Sequence, residues 1–388
     1  MRKFLDSLAF LLIYVLLGSV PSYAAVNKDI EIHINGVTLS ADLIPIIRSD
    51  RVYVPLRAIA EALSFAVDYD DNTKTAIISN SDTNIQIPLN SQSAAVNGSA
   101  VQMPTPAIIM NNRIMVPVRF IAESLDCLVN WADWSWQDDG PKGLVDIYSK
   151  MPTNINKQLS VSSLYYNLTK PAGDPENHEI TCNYAVPQLH GLNNKSFESE
   201  LNKSFQVTLE NIKKEVSKSG EEAINSAADG YAYSCGYDGT YTCGAIRNGI
   251  ITLTLEDYIY LGGAHGMPQR SCIMIDVNKS KTLSLADILL PGKASEDAVV
   301  NTINDILRIN PDDYGLFNPD NKVIADEVFR TDDGKAKLNN FYLENGNLVI
   351  FFQPYEIGPY AAGFITFQVP VNKVSEYIQP EYLEIIRL

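Results

Sequence analysis

The chain has 388 residues, enough for two or three domains, and is acidic, with 46 Asp and Glu against 30 Lys and Arg. No basic cluster interrupts this surplus, which argues against nucleic acid and anionic membranes as partners and favours a cationic protein. The alternative is that the charge only maintains solubility.

The first 24 residues predict a secretory signal peptide. Arg2 and Lys3 form a basic start, Leu8 to Val20 is an apolar stretch of 13 residues, and Ser22-Tyr23-Ala24 supplies small residues for cleavage. A spanning helix needs about 20 apolar residues. We therefore expect cleavage after Ala24, no transmembrane segment in the mature chain, and a secreted or cell-envelope location.

Residues 28–150 contain an internal repeat. The segment RVYVPLRAIAEAL from Arg51 returns 62 residues later as RIMVPVRFIAESL from Arg113. The same offset relates the ING at Ile34 to the VNG at Val96, and VDYD to VNWA. Three matches at one offset indicate a duplication.

Each repeat predicts a β-hairpin, a short helix and a further strand. The pairs Asn35-Gly36 and Asn97-Gly98 suit two-residue hairpin turns. Proline then stands at the first helical position. The apolar spacing buries one face of each helix: Leu56, Ile59, Ala60 and Leu63 in one, Val118, Ile121, Ala122 and Leu125 in the other. On each helix an arginine and a glutamate stand four residues apart, Arg57 with Glu61 and Arg119 with Glu123. Ion pairing explains this spacing without a ligand, although ligand binding is an alternative.

This V-P-x-R-x-I-A-E-x-L pattern resembles the copper amine oxidase N-terminal-like domain, the stalk module of many exported Gram-positive proteins. Copper chemistry in that family belongs to a separate catalytic domain with a histidine cluster, whereas His33 is the only histidine in this half. We expect no copper, no other cofactor and no oxidase activity. The resemblance implies a spacer or envelope-associated module.

The second half predicts an α+β domain with antiparallel sheets. Residues 151–160 are polar and are predicted to form a linker, followed by a domain over 161–380 with parts at about 161–250 and 251–380. A long helix begins near Phe197, with Gly220 predicted to end it. Asp238-Gly239 is predicted to turn one hairpin, and Asn345-Gly346 another.

The five cysteines leave the disulfide pattern open. Export permits disulfides, but the odd count leaves a thiol unpaired, and no spacing is typical of a zinc site. The cysteines are Cys127, Cys182, Cys235, Cys243 and Cys272. Cys235 and Cys243 are either close partners across the predicted hairpin or merely buried thiols. We expect no metal site.

Two motifs carry a second resemblance. GGAHG, from Gly262 to Gly266, precedes PYEIGPYAAG, from Pro354, by about 90 residues. This combination resembles the RsiV-like ectodomain, a pair of domains of unknown function from an anti-sigma factor. The first of the pair also occurs in a peptidoglycan deacetylase, whose chemistry lies in another domain. Members of the family bind lysozyme, which makes Gly262, Gly263, Ala264, His265, Gly266, Tyr355 and Tyr360 the candidate binding residues.

His265 has two interpretations. A catalytic histidine needs an orienting carboxylate and a nucleophile or metal, and the sequence offers only Asp257 on the preceding strand. The structural interpretation is a tight corner in which glycines supply positive φ or close backbone approach, and we favour it. For Tyr355 and Tyr360, interface anchors and buried core residues remain equal alternatives.

The sequence therefore predicts an exported, non-enzymatic binding protein of the cell envelope. Its expected partner is a cationic lysozyme-type glycosidase or peptidoglycan. The alternatives are an envelope hydrolase that uses His265 and Asp257, or a purely structural wall spacer.

Overall fold

In the computed structural model, the described residues are 30–39, 45–133, 143–172, 178–228, 233–244, 249–309, 314–317 and 338–386. The predicted signal peptide, residues 1–24, lies outside them. The described chain folds as an α+β protein with several sheets, as predicted.

The stalk half contains thirteen strands and two short helices within the described residues. Their order is β1 (Ile30–Ile34), β2 (Val37–Thr38), β3 (Ile46–Arg48), β4 (Arg51–Pro55), α1 (Leu56–Ala62), β5 (Ala66–Asp70), β6 (Thr75–Ser79), β7 (Asn84–Pro88), β8 (Ser93–Val96), β9 (Ser99–Gln102), β10 (Ile108–Met110), β11 (Arg113–Pro117), α2 (Val118–Ser124), β12 (Leu128–Asp133) and β13 (Gly143–Tyr148). Four elements recur 62 residues later: β3 as β10, β4 as β11, α1 as α2 and β5 as β12.

The two repeats are joined by a symmetric strand pair. β4 and β11 run antiparallel with Val54 opposite Val116, and Tyr53 opposite Pro117. Because Val54 and Val116 are equivalent positions of the repeat, this pairing places a pseudo-two-fold axis between them. All eight predicted helix positions are buried, and Ile59 and Ile121 are fully so. Burying such a side chain contributes about 2 kcal/mol. The prolines, however, lie one residue before each helix and not at its first position.

The second half is built on a mixed sheet of seven strands in the described part of the chain. Its elements are β14 (Thr153–Asn154), β15 (Ser160–Pro171), β16 (Glu179–His190), α3 (Lys195–Ala228), β17 (Cys235–Cys243), β18 (Ile250–Tyr260), β19 (Met267–Asp276) and β20 (Lys281–Leu283), in that spatial order for the strands. β16 and β17 are parallel, an exception to the predicted antiparallel pattern, because the long helix α3 crosses over between them.

Three local predictions in this half are wrong. Residues 151–160, predicted as a linker, contain β14, which pairs with β15. Gly220 does not end the helix. It lies where α3 approaches β16, and an added Cβ would come within 3.3 Å of Ile180. Asp238-Gly239 does not form a turn, because both residues lie within strand β17. The Tyr184 ring packs across Gly239.

The remaining elements cover the second face of this sheet. They are α4 (Leu285–Ile288), α5 (Lys293–Ile309), β21 (Phe341–Glu344), β22 (Asn347–Phe352), β23 (Ile365–Pro370), α6 (Val371–Val374) and α7 (Pro380–Ile386). On β18, Ile251 packs into the core beneath α3 while Ile250 packs into the core with α5 and β21–β23. The sheet therefore has apolar cores on both faces. The Asn345-Gly346 hairpin forms as predicted, with φ of 46° and 79°.

The first Asn-Gly turn joins the two halves. Asn35 is fully buried, and its side-chain amide donates to the Met151 carbonyl at 2.9 Å and to the Thr153 hydroxyl at 3.0 Å. Its carbonyl oxygen accepts from the Ser149 N–H at 2.7 Å and from the Ser163 hydroxyl at 2.6 Å. These bonds attach the tip of the β1–β2 hairpin to the base of the second sheet.

Gly36 gives a testable consequence of this joint. Its φ is 72°, and an added Cβ would lie 2.9 Å from the backbone nitrogen of Cys243. Gly98, in the equivalent turn, has φ of 80° and nothing within 4 Å of that position. The backbone strain of an added side chain is therefore similar at the two positions. We expect Gly36→Ala to lower the free energy of unfolding by about 2 kcal/mol more than Gly98→Ala, because only Gly36→Ala forces two backbones apart. Thermal unfolding followed by circular dichroism measures this, and equal melting temperatures for the two variants would refute the joint.

His33 gives a second prediction, on pH. Its Nδ1 lies 3.3 Å from Asp146 and its Nε2 lies 3.4 Å from Glu31, and both His33 and Asp146 are buried. Burial alone would lower the pKa of His33, but the two carboxylates raise that pKa to about 9, from 6.5 in the unfolded chain. The charged imidazole therefore stabilises the fold fully below about pH 6.5, and this contribution is lost as the pH rises through about 9.

We expect the melting temperature of the wild type to fall between about pH 6.5 and 9.5. The His33→Gln variant should be less stable at pH 6.5, and its melting temperature should fall less over this range, because a neutral amide has no proton to lose. Parallel curves for the two proteins would contradict a charged His33.

Candidate functional site

The GGAHG segment forms the connection between β18 and β19. Gly262 and Gly263 have φ of 82° and 95°, a conformation that favours glycine. At Gly266 an added Cβ would lie 2.6 Å from the Tyr258 ring, so a close approach requires glycine there. The Gly266 N–H also donates to the Tyr258 hydroxyl at 3.0 Å. The segment is therefore a tight corner, with the positive φ angles and the close backbone approach that the sequence predicts.

His265 contacts both predicted tyrosines. Its ring stacks on Tyr360 with a centroid separation of 3.7 Å, and its Nε2 lies 3.2 Å from the Tyr355 hydroxyl. Its Nδ1 lies 2.9 Å from the Gly266 carbonyl oxygen. The fold therefore brings together residues that are about 90 positions apart in the sequence, whereas Ala264 is exposed in the corner without a described contact.

The two tyrosines lie outside the core. Tyr355 is 48% exposed and has φ of 68°, an uncommon backbone conformation for a bulky residue. Tyr360 is half-buried and begins a short 3-10 turn after Pro359. Burial, together with the adjacent phenols of Tyr258 and Tyr355, raises the pKa of Tyr360. The apolar anchor of this segment is instead Ile357, which is buried.

These groups form one surface, which we call the aromatic corner. It consists of Tyr258, His265, Tyr355 and Tyr360, which contact one another through ring stacking and hydrogen bonds. Tyr258 and Tyr355 are 38% and 48% exposed. A cluster of exposed apolar side chains held by hydrogen bonds is typical of an interaction site.

Asp257 is not a partner of His265. Its carboxylate accepts a hydrogen bond from the Tyr184 hydroxyl at 2.6 Å, and burial raises its pKa. Gly239 permits this contact, because the Tyr184 ring lies across the strand where a side chain would otherwise project. Both nitrogens of His265 are engaged elsewhere. The Asp–His pair of the hydrolase alternative therefore does not form.

A glutamine that the sequence did not single out attaches the tyrosine segment to the sheet. The Arg270 N–H donates to the Gln353 side-chain oxygen at 3.0 Å, and the Gln353 amide donates to the Arg270 carbonyl at 2.7 Å. Arg270 itself pairs with Glu256 at 2.6 Å and lies 4.2 Å from the centre of the Phe364 ring. An open groove of about 580 Å³ adjoins the aromatic corner between Asp257, Gln269 and Tyr355.

All five cysteines are described, and none forms a disulfide. Burial raises the pKa of the Cys182 and Cys243 thiols to about 12, which leaves them protonated at neutral pH. Across the described ranges, no group of three or more His, Cys, Asp or Glu is placed to hold a metal ion. Within the same ranges, no helix has both the length and the apolar character needed to cross a membrane.

Comparison with known families divides the chain into three matched segments. Residues 33–137 match the copper amine oxidase N-terminal domain, residues 175–268 match the family described as Deacetylase PdaC, and residues 286–372 match a protein family of unknown function, DUF3298. In chain order, the matches are thus to a stalk domain, to a PdaC segment and to a DUF3298 segment. Both predicted resemblances are confirmed.

Two solved DUF3298 proteins are similar over 59% of this chain. One is from Bacteroides fragilis, with 19% identity, 97% of its own chain covered and a TM-score of 0.46. The other is from Pseudomonas aeruginosa, with 19% identity, 98% coverage and a TM-score of 0.41. A search of curated proteins found no match.

The matches indicate an extracellular or periplasmic protein of unknown function, and they give no positive evidence of catalysis. The aromatic corner takes residues from two of the matched segments. Its GGAHG part lies within the PdaC match, and Tyr355 and Tyr360 lie within the DUF3298 match.

Proposed function

We propose that this chain is an exported, non-enzymatic envelope protein whose aromatic corner binds a lysozyme-type glycosidase. The observation that carries the proposal is the stacking of His265 on Tyr360, with Tyr355 bonded to the same imidazole. Two distant segments thereby present exposed aromatic rings in a fixed arrangement. The identity of the partner rests on the resemblance to the RsiV-like family.

The aromatic corner is organised before any partner binds. His265 restrains both tyrosines, and the two bonds between Gln353 and Arg270 hold the segment that carries them. Pre-organised aromatic side chains lose little conformational entropy on association, which is why they dominate binding energy at interfaces. The left-handed backbone of Tyr355 supports this role, since such strain persists where surrounding contacts impose it.

Charge supports a cationic partner. Residues 151–388 carry 30 acidic and 19 basic side chains, a net charge of −11. A field of this sign raises the association rate of a basic protein and weakens as salt is added. Specificity must come from the shape of the aromatic corner, because charge alone attracts any cation.

The partner can be tested by surface plasmon resonance with egg-white lysozyme and the mature chain, residues 25–388. We expect binding at low salt, and an association rate that falls as salt rises. Tyr360→Ala should weaken binding by roughly 2 kcal/mol, mainly through a higher dissociation rate, because it removes the ring on which His265 stacks.

The control is Trp131→Ala, which truncates an aromatic residue of the stalk that is 42% exposed. It should leave lysozyme binding unchanged. No binding at micromolar protein, or an equal loss in the two variants, would overturn the proposed partner.

The non-enzymatic assignment has a separate test, since the family name Deacetylase PdaC and the hydrolase alternative both imply catalysis. We expect the purified chain to neither cleave nor deacetylate a muramyl substrate, because the only acid–base pair that the sequence suggests, Asp257 with His265, does not form. Product analysis by mass spectrometry measures this. Activity that His265→Ala abolishes without changing the melting temperature would contradict the assignment.

A further inference from the structure

The stalk half carries two open grooves of nearly equal size, of about 1020 Å³ and 1080 Å³. The first groove lies between α1 and the β10–β11 hairpin, and the second lies between α2 and the β3–β4 hairpin. Each groove therefore takes one wall from each repeat. This exchange follows from the symmetric pairing of β4 with β11, which places each hairpin beside the helix of the other repeat.

The linings of the two grooves correspond at the offset of the repeat. Arg57, Glu61 and Tyr69 line the first groove, and Arg119, Glu123 and Trp131 line the second. In the opposite walls, Ile109 of the first groove corresponds to Ile47 of the second, and these residues are 59% and 52% exposed. The two grooves thus repeat one arrangement: an aromatic ring, an arginine, a glutamate and an exposed isoleucine.

Trp131 is positioned as a platform. Its six-membered ring lies against Gly143 of the neighbouring strand, where any side chain would displace it. The residue as a whole is nevertheless 42% exposed. One part of the indole is therefore packed on backbone while another part is open to the groove, an arrangement suited to stacking on the apolar face of a ligand.

The charged side chains that line each groove balance in number, so the grooves suit neutral hydroxyl and amide groups better than a lone charge. Three of each sign line the first groove, where Arg57 and Glu61 form an ion pair at 3.0 Å, and two of each sign line the second. Asn90 and Asn112 add planar amides to the first groove, and Asn130 and Gln102 add them to the second. Such side chains both donate and accept hydrogen bonds, as the hydroxyl groups of a sugar require.

We infer that each groove binds a segment of a glycan strand, with one sugar ring stacked on Tyr69 or Trp131 and its hydroxyl groups bonded to the arginine and the glutamate of that groove. Two equivalent grooves on one module suit a polymer, which presents the same sugar many times. Engagement of both grooves by one strand would raise its apparent affinity through effective concentration. The stalk would then be an attachment module for envelope polysaccharide. This inference is independent of the proposed lysozyme partner, since it rests on different residues in a different part of the chain.

The test is calorimetric titration of the mature chain with oligosaccharides from wall glycan strands whose peptides an amidase has removed. We expect two sites per chain for the wild type and one site, of unchanged affinity, for either Tyr69→Ala or Trp131→Ala. The double variant should show no site. Retention on intact stripped strands should fall about tenfold or more in each single variant, because bivalent attachment is lost.

Phe317→Ala is the matched control, an aromatic residue that is 59% exposed and lies outside both the grooves and the aromatic corner, and it should retain both sites. Circular dichroism melting confirms that each variant is folded. A wild-type stoichiometry other than two, or loss of both sites in one folded single variant, would overturn the inference. Binding to peptide-bearing wall but not to stripped strands would overturn it too and would assign the grooves to peptide.

Discussion

The buried side-chain amide of Asn35 determines how the two halves of the protein meet. It bonds to the end of the stalk, to the segment that follows and to the first long strand of the second half, through Ser149, Thr153 and Ser163. A buried amide left without partners would cost about 1–3 kcal/mol, so these bonds favour one arrangement over its alternatives. Tyr148 reinforces the contact, since its hydroxyl accepts from the Tyr241 N–H at 3.1 Å and the two rings lie 5.2 Å apart.

Because of this contact, the two Asn-Gly turns of the stalk have different surroundings. Both turns have the same local sequence and similar backbone angles, yet Gly98 faces open space while Gly36 lies against the backbone of β17. The duplication therefore supplied two equal hairpins, of which one became an internal contact between the halves. The helices and the central strand pair kept their symmetry, and for that reason the two grooves remain alike.

Both candidate binding surfaces lie where two sequence units meet. The grooves form between the repeats of the stalk, and the aromatic corner forms between the segments that match PdaC and DUF3298. Each surface presents aromatic side chains that are held in place, Trp131 by packing on Gly143 and the tyrosines by His265. If both surfaces are occupied as proposed, the chain would hold an envelope glycan with one half and a glycan-cleaving enzyme with the other.

The sequence by itself determined the features that depend on neighbouring residues. The Asn-Gly hairpins, the short helices after Pro55 and Pro117, and the glycine corner before His265 follow from local φ preferences and helical periodicity, and they were predicted correctly. Only the tertiary structure decided the features that depend on distant residues. Gly220 and Gly239 looked like breaks because the sequence does not show that Ile180 and Tyr184 pack against them. Likewise, the pairing of Asp257 with Tyr184, the meeting of His265 with Tyr360, and the exchange of walls between the grooves arise from contacts across strands and repeats, which no local pattern encodes.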